Sequence, residues 1–169
     1  MARITKYIIV FLISMIPLIE LRGAIPVALS PADMEFFGVF HGMGLPVLNS
    51  YIVCIIGNML PVPIIFFFAR KVLEWGKDKP VIGGFFTWCL EKGHKGGEKL
   101  MKTAGKGLYF ALFLFVGIPL PGTGAWTGTL AASILDMDFK KSIVAVMCGV
   151  VLAGVIMGVV SAGLFGAIF

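Results

Sequence analysis

The chain alternates long apolar stretches with short polar ones. Four apolar stretches occupy about residues 7–30, 45–69, 107–135 and 142–169. Each is long enough for the roughly 20 residues that a helix needs to cross a bilayer. The pattern predicts a helical protein that lies in a membrane.

The first and third stretches are similar to each other. The run FLISMIPL at Phe11–Leu18 returns as FLFVGIPL at Phe113–Leu120, with Phe, Leu, Ile, Pro and Leu identical at the same offset of 102 residues. The first run continues into ELRGAIP at Glu20–Pro26 and the second into PGTGAWTG at Pro121–Gly128. Duplicated apolar segments that are each broken by Pro and Gly are typical of transporters with internal repeats.

The breaks favour one of two topologies. Prolines near the segment centres remove backbone donors and glycines permit sharp turns, and these residues are Pro17, Pro26, Pro119, Pro121, Gly122 and Gly124. Irregular backbone is tolerated at membrane depth only where protein or a watery cavity surrounds it, so a re-entrant hairpin is the simpler interpretation. The alternative is two kinked helices that cross completely, and counting charges does not separate the two models.

The predicted fold is therefore an all-α integral membrane protein built from an inverted repeat. Each repeat is a re-entrant, Pro/Gly-broken helical hairpin followed by a transmembrane helix, and one membrane domain covers residues 1–169. Repeat one spans 5–70, a basic interfacial connector spans 71–105, and repeat two spans 106–169.

The connector carries most of the positive charge. Nine of the fourteen Lys and Arg residues fall between Arg70 and Lys106, which predicts that this loop is cytoplasmic. Lysines at steps of three and four predict an interfacial amphipathic helix, and they are Lys92, Lys95, Lys99 and Lys102. We expect a multi-pass protein of the cytoplasmic (inner) membrane.

Composition makes two charged residues conspicuous. The chain is 59% hydrophobic with a mean hydropathy of +1.00, yet Glu20 and Arg22 lie deep inside an apolar segment. An ionisable group at the bilayer centre costs a few kcal/mol, so it normally faces a partner or a pathway. Arg22 is suited to gripping a phosphate or carboxylate, and Glu20 to carrying a proton. The structural alternative is that the two residues neutralise each other or satisfy broken backbone.

The second break has no charge but exposes backbone and hydroxyl groups. A helix that restarts near Ala125 would direct its positive end toward the first break and help to hold an anion. The predicted substrate- and proton-binding residues are Glu20, Arg22, Gly23, Pro26, Pro119, Pro121, Gly122, Thr123, Gly124, Trp126 and Thr127.

Other chemistry finds little support. The three cysteines, Cys54, Cys89 and Cys148, and the two histidines, His41 and His94, form no metal-binding motif. The glycines of the second break match no nucleotide-binding motif, and no nucleophile and base recur at a catalytic spacing. We expect no enzyme activity, cofactor, metal or nucleic-acid partner.

The two break motifs resemble the signature segments of the family of small multidrug export proteins, over essentially the full chain. That family is distantly similar to the DedA, or SNARE-associated (VTT), superfamily, whose members have two re-entrant hairpins that meet in the membrane. This resemblance implies movement of lipid phosphates such as undecaprenyl phosphate, often linked to the proton motive force. Glu20 matches the acidic position by context, whereas the second break lacks the arginines of DedA proteins, so Arg22 would supply the phosphate contact.

Three functions remain open. The first is a proton-linked translocase of an anionic lipid carrier such as polyprenyl phosphate, and the alternative is a proton-coupled exporter of small cationic drugs. A non-transporting membrane scaffold is the third. The partners expected are a membrane lipid or lipophilic small molecule, a proton, and a second copy of the chain through the Gly154 and Gly158 pair, which would equally serve packing within one chain.

Overall fold

The computed structural model describes residues 2–17, 19–31, 35–36, 40–80, 83–84, 87, 91, 107–120 and 122–168. Its numbered elements are α1 Arg3–Met15, α2 Glu20–Leu29, β1 Glu35–Phe36, β2 Phe40–His41, α3 Val47–Met59, α4 Pro61–Gly76, α5 Gly107–Gly117, α6 Ala125–Ile134 and α7 Phe139–Ile168. The predicted all-α class holds for these residues except for β1 and β2, a short antiparallel pair in which Glu35 lies opposite His41.

The first and third apolar stretches each consist of two short helices. Helix α1 ends at Met15, just before Pro17, and α2 begins at Glu20. Helix α5 ends at Gly117, just before Pro119, and α6 begins at Ala125. Proline disfavours helix at the residue before it, which accounts for both ends.

Two of the predicted break residues need separate comment. Pro26 lies inside α2 rather than at the break, near the C-terminal end of that helix. The expectation that it marks a break is therefore wrong, and Pro17 alone precedes the interruption. Pro121 lies outside the described residues.

The second and fourth apolar stretches form long helices. Leu60, between α3 and α4, has helical backbone angles, so residues Val47–Gly76 form one stretch of 30 helical residues. Residues Phe139–Gly163 form another of 25. Within the described part of the chain, these two helices are long and apolar enough to cross a membrane.

The helices pack around α2. Helices α1 and α3 run side by side in the same direction, because Tyr7 is bonded to Asn49 near their starts and Phe11 lies against Gly57 further along. Helix α2 packs on α1, α3 and α7, and α6 packs on α4 and α7. The buried face of α2 forms the centre of the core with Leu21, Ala24, Ile25, Val27 and Ala28.

The small-residue pair of the last helix faces its own chain. A Cβ at Gly158 would overlap the Tyr51 hydroxyl, and one at Gly154 would contact the Tyr51 ring and Leu21. The pair therefore packs α7 against α3 and α2. The predicted homodimer stays a prediction.

The structure describes residues 71–80, 83–84, 87 and 91 of the predicted connector. Helix α4 continues to Gly76, past the boundary expected at residue 70. The predicted amphipathic helix with Lys92, Lys95, Lys99 and Lys102 lies outside the described residues.

Candidate functional site

Glu20 is the first residue of α2 and is buried, with 4 % of its surface exposed. Its φ is +50°, in the left-handed region that a residue with a Cβ rarely adopts. In the described chain, Asp136 is the other non-glycine residue with a positive φ. Such a conformation persists where the surrounding contacts hold it in place.

The Glu20 carboxylate caps the start of α6. Its Oε2 accepts a hydrogen bond from the Ala125 amide at 3.1 Å, and its Oε1 accepts one from the Trp126 amide at 3.0 Å. These are the first two amides of α6. The N-cap residue of this helix is Gly124, which provides no side-chain hydrogen bond to them. Because helix N-termini carry free N–H groups and partial positive charge, a carboxylate stabilises this end.

Gly124 makes that approach possible. Its φ of +147° is strained for other residues, and a Cβ at this position would overlap the Glu20 carboxylate. The sequence predicted that Gly124 serves a sharp turn. The structure adds that it leaves room for a charged side chain from the other break.

Arg22 holds the opposite end of the second break. Its Nη1 donates to the Leu120 carbonyl, and its Nη2 lies 3.3 Å from the Val116 carbonyl and 2.8 Å from the Thr123 hydroxyl oxygen. The Ile118 carbonyl is 3.4 Å from the same Nη2. The Val116 carbonyl lies in the last turn of α5 and the Ile118 and Leu120 carbonyls follow its C-terminal end, where a cation is favoured.

We call this set of contacts the cross-break junction. It consists of Glu20 and Arg22 from the first break, the main-chain groups between Val116 and Trp126 that they bind, and the Thr123 hydroxyl. The carboxylate meets the positive end of α6 and the guanidinium meets the negative end of α5. Among the described residues, Glu20 and Arg22 do not form an ion pair with each other. These contacts match the structural alternative given above, in which the two charges satisfy broken backbone. The α6 amides that were expected to hold an external anion instead donate to Glu20.

The remaining predicted residues lie around the junction. Trp126 is half-buried, and its Nε1 is a buried donor with no partner in the described chain. The Thr127 hydroxyl is 3.5 Å from the Gly124 carbonyl. Gly122 is exposed in the turn with φ +80°. Half-buried positions are also taken by Gly23, Pro26 and Pro119.

Sequence reasoning missed the acceptors of the junction and a cavity between the two helices that flank the second break. The Val116, Ile118 and Leu120 carbonyls leave no side-chain signal in the sequence, because every residue has a main-chain carbonyl. A cavity of about 190 Å³ lies between α5 and α6. Its walls are apolar, formed by Leu108, Ala111, Leu112, Phe115, Ala131, Ala132, Leu135 and Met137. Within the described residues, no group of three or more His, Cys, Asp or Glu is placed to hold a metal.

Comparison with known proteins identifies the region that contains the junction. A family model described as "Putative small multi-drug export protein" matches residues 20–156. The match begins at Glu20 and includes both partners of the junction. No curated protein and no solved structure matches the chain. The similarity to the DedA superfamily is no part of this match and stays a prediction.

Proposed function

We propose a function for this chain, which belongs to the small multi-drug export protein family: it is a membrane transporter that exports small lipophilic molecules. The cross-break junction is the observation that carries the proposal. Backbone interrupted at membrane depth needs polar partners, and here the partners come from a second interrupted segment. In the proposed transport cycle, this contact between the two segments breaks and forms again.

The proposed topology follows from helix length. Helices α1, α2, α5 and α6 have 13, 10, 11 and 10 residues, which at 1.5 Å per residue gives roughly 15 to 20 Å each. A hydrocarbon core of roughly 30 Å is too thick for any of them. We therefore place the two pairs as re-entrant hairpins in an inverted repeat, with the basic connector on the cytoplasmic side of the inner membrane.

Glu20 is the proposed coupling group. As a carboxylate it offers acceptors to both α6 amides, whereas a protonated Glu20 keeps one carbonyl oxygen and gains a donor. Protonation also removes the attraction between the carboxylate and the positive end of α6. Proton binding therefore weakens the junction, and proton release restores it.

The geometry favours a cationic or neutral lipophilic substrate over a lipid phosphate. The Arg22 guanidinium is engaged by Leu120, Val116 and Thr123, so a phosphate would have to displace main-chain acceptors. The cavity between α5 and α6 suits the apolar part of a small molecule. In the wall of this cavity, Ala131 lies six residues after Ala125, roughly 9 Å along α6.

The family match supports export better than the translocation of a polyprenyl phosphate carrier, which was the first expectation. The family match gives the scaffold hypothesis the least support. A scaffold would act through the connector lysines, and its function would not require the cross-break junction. We also propose that transport proceeds without enzymatic chemistry.

The test is uptake of a lipophilic cationic dye by proteoliposomes under an imposed pH gradient. We expect the wild-type protein to move the dye and Glu20→Gln to reduce uptake to the level of empty vesicles, because the amide cannot exchange a proton. Glu35→Gln is the matched control, since it removes the same charge from an exposed side chain, and it should transport normally.

Parallel vesicles that contain polyprenyl phosphate measure the competing activity. Lipid movement without dye movement would overturn the export proposal. Normal dye uptake by Glu20→Gln protein would remove Glu20 from the coupling role.

A further inference from the structure

A second cavity differs from the apolar one because two positively charged side chains line it. It has a volume of about 510 Å³ and is lined by Arg3, Lys6, Met43, Gly44, Leu45 and Pro46. It is located where α1 and α3 both begin. Two cations and several main-chain groups face one space, and none of these residues belongs to the cross-break junction.

Both cations retain donors for a ligand. The Lys6 ammonium donates one hydrogen bond to the Met43 carbonyl at 2.8 Å, and an ammonium has three donors. Arg3 forms no hydrogen bond or ion pair with the described residues. The first turn of α3 starts next to Pro46, so its free amides add partial positive charge to the same space. The cavity is therefore suited to a phosphate-sized anion.

An apolar surface starts beside the cavity. Pro46, which lines the cavity, immediately precedes α3. Exposed apolar residues then continue along α3 at Val47, Leu48, Ile52 and Ile56. This α3 stripe therefore leads away from the end of the helix at which the two cations lie.

We propose that this cavity binds the phosphate headgroup of an anionic phospholipid, whose acyl chains lie along the α3 stripe. Free phosphate would use the cations but not the stripe, whereas a phospholipid uses both. Basic pockets between membrane helices are suited to anionic headgroups. This site is separate from the proposed export pathway and does not depend on it.

Binding is tested on the full chain in detergent by native mass spectrometry, with added phosphatidylglycerol or phosphatidylcholine. We expect the wild-type protein to retain phosphatidylglycerol in preference, and Arg3→Gln combined with Lys6→Gln to weaken that binding roughly 30-fold, since each cation near a membrane surface contributes a similar share. Arg3→Gln alone, at an exposed side chain, should weaken it roughly fivefold and decides the matter if the double variant does not fold.

The matched control is Lys140→Gln combined with Lys141→Gln, which removes two adjacent exposed cations from the first turn of α7. It should retain phosphatidylglycerol like the wild type. Equal loss in this control would overturn the proposal, because it would indicate a general charge effect. Unchanged binding in the Arg3 and Lys6 variants would overturn it as well, and displacement of the lipid by inorganic phosphate would assign the cavity to free phosphate instead.

Discussion

The two broken segments share a sequence pattern and differ in chemistry. The first break contributes side-chain charge through Glu20 and Arg22, and the second contributes uncharged backbone between Val116 and Trp126. An interrupted helix has a negative end and a positive end. One carboxylate and one guanidinium of the first break therefore bind both ends of the second, which contributes no charged side chain to these contacts.

The difference also explains the backbone strain. The charged break places Glu20 at a positive φ, whereas the uncharged break places its positive φ values at Gly122 and Gly124. Glycine adopts such angles without a Cβ penalty. The first segment therefore depends on the junction to hold its conformation, and the second depends on its glycines.

The largest effect is expected from Gly124→Ala. A Cβ at this position would overlap the Glu20 carboxylate, so the substitution removes the α6 cap and adds backbone strain. We expect a loss of roughly 3 kcal/mol or more in the free energy of unfolding, measured by SDS titration in detergent micelles. Gly122→Ala is the control, because φ is also positive at Gly122. A Cβ added there would have no atom within 4 Å apart from those of its chain neighbours, so this substitution should cost about 1 kcal/mol. Equal costs would mean that only backbone angles matter.

Arg22→Ala should have the next largest effect. It removes the donor that the Val116 carbonyl and the Thr123 hydroxyl share and one of the donors to the Leu120 carbonyl, for a loss of roughly 2 to 3 kcal/mol by the same titration. Arg22→Lys keeps the charge but not the planar fork, so it should recover only part of that loss. Full recovery by lysine would show that charge alone holds the second break.

Thr123→Val should have the smallest effect of the three. The Thr123 hydroxyl accepts from Arg22 and lies 2.9 Å from the Ile118 and Leu120 carbonyls, so its removal should cost about 1 kcal/mol. Thr127→Val is the matched control, since the Thr127 hydroxyl has only a 3.5 Å contact with the Gly124 carbonyl. A thermal melt of both variants should rank Thr123→Val below Thr127→Val, and the reverse order would argue that Thr123 is not part of the junction.

Much of the local structure could be predicted from the sequence. Pro17 and Pro119 predicted the two interruptions. The glycine-rich turn after Leu120 predicted a helix that restarts near Ala125, where α6 begins. Glu20 and Arg22 stood out because charge is costly inside an apolar segment. Pro26 misled because proline does not by itself distinguish a break from a position inside a helix with one bond missing.

The binding partners of the two charges could not be predicted from the sequence. Arg22 was expected to grip a substrate phosphate, and in the structure it holds Leu120, Val116 and Thr123. A guanidinium binds carbonyls and phosphates with the same donors. Only the position of the second break relative to α2 separates the two uses.

The sequence by itself determined that the first and third apolar stretches are interrupted, which stretches are apolar enough for a membrane, and which residues carry charge within them, because these properties depend on neighbours along the chain. The tertiary structure alone decided that the first break binds the second. Main-chain amides and carbonyls are present at every residue, so contacts such as those of Glu20 with Ala125 and Trp126 leave no mark in composition or periodicity. Packing around α2 brings together groups about a hundred residues apart, and their geometry gives the junction its chemistry.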